Sequence, residues 1–163
     1  MVWHEDVISI ILAAFLGAAI GLERELSGKS AGLRTNILIC LGAAVFTIIS
    51  KRMVSGTNGS ITRIAAQIVT GVGFLGAGAV IQDRRGVHGL TTAATIWLVA
   101  SIGMACGAGF HSLAAVSTLI AIIVLVGLVK LVKPLERYQK KHKIRNFPDD
   151  EDFTGRERRQ DEE

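Results

Sequence analysis

Charge is segregated along this chain, and that restricts the folds open to it more than any motif does. Between Val7 and Val132 the charged residues fall almost entirely in short clusters. Between the clusters lie apolar runs of about 18 residues without Asp, Glu, Lys or Arg, the length that crosses a bilayer core. Half of the 163 residues are hydrophobic, yet a fifth are charged; a soluble domain of this length would combine the two in amphipathic elements around one core. Five spans are expected, at Val7–Leu22, Thr35–Ser50, Ile64–Ile81, Leu90–Gly107 and Phe110–Val132. The fold class is therefore all-α, a polytopic membrane helix bundle over residues 1–133 with a charged tail over 134–163. Several spans are short for a hydrocarbon core of about 30 Å at a rise of about 1.5 Å per residue, so flanking residues must complete them or the bilayer must thin.

Orientation follows from lysine and arginine in the loops. One alternating set of loops holds Arg24, Lys29, Arg34, Arg84, Arg85 and the basic residues of the tail; the other holds Lys51, Arg52 and Arg63. The first set is read as cytoplasmic, with the N-terminus out and the C-terminus in. Glu5 and Asp6 precede the first apolar run and Glu23-Arg24-Glu25 follow it, the wrong flanks for a secretory signal. The formal charge of +4 says little about nucleic acid, and no nucleic-acid partner is expected. The lipid bilayer is.

The third run is dense in glycine, with Gly71, Gly73, Gly76 and Gly78. Each glycine costs a water-soluble helix roughly 1 kcal/mol relative to alanine, whereas in lipid small residues permit close backbone approach. This run is expected to be the tightly packed centre. Ala13, Gly17 and Gly21 make a similar stripe on the first span, and a homo-oligomer is expected. Gln67 is the strongly polar amide well inside a span, and a hydrogen bond to a neighbouring helix is expected of it.

Several motifs fail on context. Gly71-Val72-Gly73-Phe74-Leu75-Gly76 matches the dinucleotide fingerprint but lies within a spanning run rather than at a strand-to-helix turn. Gly28-Lys29-Ser30 resembles the end of a phosphate loop, yet the first glycine of that loop would fall at Glu23. Cys40 and Cys106 fit no metal spacing and read as packing residues. The histidines are scattered, no nucleophile pairing emerges, and an enzyme is not expected.

Topology assembles one further set. Glu23, Arg24, Glu25, Lys29, Arg34, Thr35 and Asn36 fall at the cytoplasmic ends of the first two spans, and Asp83, Arg84, Arg85, Thr91 and Thr92 at those of the next two. Such a ring has three readings: a solvated set of ion pairs, a hydrated Mg²⁺ site with Glu23 and Asp83 as candidate ligands, or a docking surface for another protein. No cofactor is called for otherwise. No Asp, Glu, Lys or Arg lies mid-span, where pumps and proton-coupled carriers usually place ionisable groups. After Pro134, read as a kink or a new start, Arg137, Lys140, Lys141, Lys143 and Arg145 form a juxtamembrane basic cluster suited to anionic headgroups. The segment beyond Asn146 reads as disordered.

The stretches Gly21–Ala44 (GLERELSGKSAGLRTNILICLGAA), Arg63–Ile81 and Gly89–Gly109 closely resemble the MgtC/SapB family of bacterial membrane proteins. The resemblance implies a multi-pass inner-membrane protein of about five spans, associated with survival at low magnesium and, in some pathogens, with virulence inside macrophages. It implies a regulator more than a carrier, the best-known members being linked to restraint of the F-type ATP synthase and to phosphate control. Those members continue into a soluble ACT-like C-terminal domain, and this chain resembles a short form without it. The expected function is regulation under Mg²⁺ limitation or stress by docking on another membrane complex. The alternative is a channel or carrier for Mg²⁺ or another small ion.

Overall fold

The computed structural model describes residues 2–53, 61–83 and 86–143. Five helices run in chain order: α1 Val2–Leu26, α2 Leu33–Met53, α3 Ile61–Gly78, α4 Leu90–Ala108 and α5 His111–Lys143. Between α3 and α4 lie two short strands, β1 Ile81–Asp83 and β2 Gly86–His88, paired antiparallel with Ile81 opposite His88 and Asp83 opposite Gly86. Among the described residues three helices are long and apolar enough to cross a membrane, Trp3–Leu26, Leu33–Met53 and Leu90–Ala108. The apolar parts of the other two, Ala65–Gly78 and His111–Gly127, are shorter.

α4 occupies the middle because it is apolar on every side and small where it meets its neighbours. One core cluster joins its Val99, Ile102 and Cys106 to Ala13 and Ile20 of α1, Cys40 and Ala44 of α2, and Ala114 and Ala121 of α5. A second joins its Ile96 and Ala100 to Ala43 of α2 and Ile68 and Val72 of α3. Three buried threonine hydroxyls are satisfied inside their own helices. Thr47 donates to the Ala43 carbonyl at 2.7 Å, Thr95 to Thr91 at 2.8 Å and Thr118 to Ala114 at 2.9 Å, so none of the three is left unpaired in an apolar surrounding. Large apolar side chains point outward instead, among them Ile11, Phe15, Leu38, Phe46, Phe74 and Leu119. In water such a surface would aggregate; in lipid it is the matching one.

Helix ends are set by glycine where the backbone requires it. Gly109 closes α4 in the left-handed region (φ 92°), with its N–H on Cys106 and that of Phe110 on Ala105. Gly89 opens α4 at φ 89°, and a Cβ there would run into the Ala79 carbonyl.

Two local expectations are corrected. α3 ends at Gly78, and the residues to Asp83 leave the helix to form a β-hairpin, because glycine near a helix end and β-branched Val80 and Ile81 favour that exit. α5 does not start anew at Pro134 but runs through it to Lys143, so residues 134–143 of the charged tail are helix. The chain divides into two compact units, Met1–Val126 and Gly127–Glu163. Residues 144–163, including Arg145 and the segment expected to be disordered, lie outside the described residues.

Candidate functional site

Polar side chains gather where α1 ends and α2 and α4 begin. The α1–α2 connection is a tight turn: the Ser27, Gly28 and Lys29 N–H groups donate to the Glu23, Glu25 and Arg24 carbonyls. Gly28 and Ala31 both adopt positive φ, at 62° and 58°. Ala31 gains nothing from its side chain there, and what holds it is Asn36, one turn into α2. Fully buried, Asn36 donates through Nδ2 to the carbonyls of Ala31 at 2.5 Å and Gly32 at 2.9 Å. Glu25 completes the turn by accepting the Leu33 N–H at 3.0 Å, on the first turn of α2. Ser30 reaches Thr92 at 3.4 Å, which ties the turn to the start of α4.

Beneath the turn lies Arg24, only 4% exposed. Its Nη1 is 3.7 Å from Glu23 Oε2, an ion pair too long for a hydrogen bond, while Glu23 Oε1 accepts from Ser27 at 2.7 Å. Three buried polar atoms have no hydrogen-bond partner among the described residues: Glu23 Oε2, Arg24 Nε and Asn36 Oδ1. Buried polar atoms are nearly always satisfied, so this end of the bundle has unused donor and acceptor capacity, two acceptors and one donor.

The structure sorts the expected ring. Glu23, Arg24, Glu25 and Thr92 converge through the contacts above, with Thr92 buried. Arg34 and Thr35 are exposed on the first turn of α2, and Thr91 on that of α4. Asp83 takes its place at the end of β1, and Arg84 lies outside the described residues. Ser27 and Ser30 are invisible in the sequence as members of this set, since a loop serine carries no signal until its partner is known. Among the described residues no group of three or more His, Cys, Asp or Glu could hold a metal ion. Glu23 and Glu25 already accept protein donors, with which a hydrated Mg²⁺ would have to compete.

A second feature lies on α3. Gly71, Gly73 and Gly78 have nothing within 4 Å of where a Cβ would stand, and Gly76 meets only Ala93, at an ordinary 3.7 Å. Among the described residues, the close packing expected at the α3 glycines is not found at Gly71, Gly73 or Gly78. It is found at Gly17 and Gly21, where a Cβ would stand 2.8 Å from Cys40 Cβ and 2.8 Å from Leu33 Cα, and at Gly103 and Gly107, where it would strike the Cys40 and Ala44 carbonyls. Between α2 and α3 opens an apolar groove of about 660 Å³, lined by Leu38, Phe46, Gln67, Gly71 and Leu75 among others. Gln67 is exposed along this groove, and none of the hydrogen bonds among the described residues joins it to a neighbouring helix.

The model of the MgtC family matches residues 10–134. Protein MgtC of Brucella abortus (strain 2308) is 48% identical over 139 residues, covering 83% of this chain and 58% of that protein. "Putative magnesium transporter YhiD" of Escherichia coli (strain K12) is 45% identical over 124 residues, 72% of this chain and 58% of that protein. Protein MgtC of Salmonella typhimurium (strain 14028s / SGSC 2262) is 46% identical over 122 residues, 75% of this chain and 52% of that protein. The chain thus spans little more than half the length of these relatives. No solved structure matches.

Proposed function

The chain belongs to the MgtC family, and we propose that it is a multi-pass inner-membrane regulator, active under Mg²⁺ limitation or stress, that docks on another membrane complex through α3. The observation that carries this reading is the open face of α3. Gly71, with nothing beside it, lines an apolar groove, and on the same face lies the Gln67 amide, without a hydrogen bond among the described residues. In lipid, a helix packs where small residues allow backbones to approach and where a polar group finds a partner across the contact. Gly71 supplies the approach, and Gln67, four residues earlier on the same face, the polar contact. The polar end around Glu23, Arg24 and Asn36, on the cytoplasmic side if lysine and arginine set orientation, would meet the complex outside the bilayer. In this reading all five helices cross the membrane, N-terminus out and C-terminus in.

The test is Gly71→Leu in a strain lacking the chain. The variant should insert in the inner membrane in normal amount and fail to restore growth at low magnesium. Normal rescue by an inserted variant would sink the docking face.

A second reading, a carrier or channel for Mg²⁺, draws on the name of the Escherichia coli relative and on the unpartnered acceptors Glu23 Oε2 and Asn36 Oδ1. Mg²⁺ flux into liposomes holding the purified protein, lost in Glu23→Gln or Asp83→Asn, would favour it. Absence of flux from folded protein would leave the regulator ahead.

A further inference from the structure

Because α5 is one helix from His111 to Lys143, the basic residues near its end acquire a common register that a break at Pro134 would have destroyed. At about 100° per residue, Lys130, Lys133, Arg137, Lys140 and Lys141 fall within one arc of about 100°. Leu131, Leu135 and Tyr138 fall within an arc of about 60° on another side of the same turns. Glu136 is the single acid among six lysines and arginines from Lys130 to Lys143. The register therefore makes this end of α5 a cationic amphipathic helix, directly continuous with an apolar helical segment that ends at Gly127.

We propose that the arc Lys130–Lys133–Arg137–Lys140–Lys141 binds the anionic headgroup surface of the membrane in which the protein sits, with phosphatidylglycerol-type lipids as its ligand. Three observations commit it to lipid. The charge is of one sign on one arc, the complement of a surface of phosphates. The counter-arc of Leu131, Leu135 and Tyr138 suits the boundary between headgroups and acyl chains, as in interfacial helices. The arc also begins three residues after the apolar segment ends, so its first charges reach the headgroup layer within a Debye length of about 8 Å. The competing occupant is the chain's own acidic end, where Asp149, Asp150, Glu151 and Asp152 follow closely.

The experiment uses the whole chain reconstituted in vesicles, carrying Gln139→Cys labelled with a polarity-sensitive fluorophore; Cys40 and Cys106 are buried, and the unmodified chain controls for their labelling. Vesicles of phosphatidylcholine alone are compared with equal parts phosphatidylcholine and phosphatidylglycerol. The expected result is a blue-shifted probe in the anionic vesicles only, reversed by high salt. Lys140→Gln with Lys141→Gln, well beyond the apolar segment, should weaken the dependence on phosphatidylglycerol roughly fivefold per charge removed, while Lys140→Arg with Lys141→Arg retains it. A probe that reports the same environment in both vesicles overturns the proposal. So does a probe shielded in phosphatidylcholine and released when residues 149–163 are removed, which would assign the arc to the acidic end.

Discussion

The glycines of α1 and α4 and those of α3 look alike in composition and behave oppositely. Gly17, Gly21, Gly103 and Gly107 stand where a methyl group would collide with α2, so each is required by the packing of this chain on itself. Gly71, Gly73 and Gly78 stand against nothing. A helix gives up roughly 0.5–1 kcal/mol for each glycine that replaces alanine, and at Gly71, Gly73 and Gly78 no contact among the described residues offsets that cost. The contrast teaches that a small-residue stripe marks a close approach without saying to what. On α4 the partner is α2. On α3 the described residues leave the approach open.

Substitutions can break this contrast, beginning where the effect is largest. Gly103→Ala pushes a methyl into the Cys40 carbonyl, backbone that cannot rotate away. It should lower stability by about 3 kcal/mol, the upper part of the overpacking range, in denaturant unfolding of the detergent-solubilised protein. Gly17→Ala meets Cys40 Cβ and the Asn36 carbonyl at 2.8 and 2.9 Å, and a smaller loss of about 1–2 kcal/mol is expected in the same titration. Asn36→Ala sharpens the comparison from the polar end. It strips two hydrogen bonds from the turn carbonyls and should cost about 1–2 kcal/mol, with proteolysis appearing first between Ser27 and Gly32. Smallest, and of opposite sign, is Gly71→Ala: with open space around it, it should raise monomer stability by about 0.5–1 kcal/mol. A clear loss there would mean that α3 is already packed, and the contrast would fail.

Much of the architecture was legible in one dimension. Charge-free runs placed all five helices to within a few residues at most ends, because an apolar segment without charges has few alternatives in lipid. The misjudged ends have specific causes. Val80 and Ile81 are as apolar as the helix before them, so hydropathy could not see the backbone leave α3 for a hairpin. Pro134 lowers helix propensity on average, but only the chain on both sides decides whether the helix continues. The polar end was half legible. Glu23, Arg24 and Glu25 stand out as charges, while the roles of Ser27, Ser30 and Asn36 depend on atoms up to 62 positions away in the chain.

Class, helix count and family rest on residues read singly or in runs, since transfer of apolar side chains and the cost of burying charge are local properties that add along the chain. Which stripe packs inward, and where Arg24 loses its solvent, are properties of pairs brought together by the fold. α4 claims both faces of the interior because its small residues admit α2 on one side and α3 on the other. Among the described residues that leaves Gly71, Gly73 and Gly78 of α3 uncovered, while Gly76 meets Ala93 of α4.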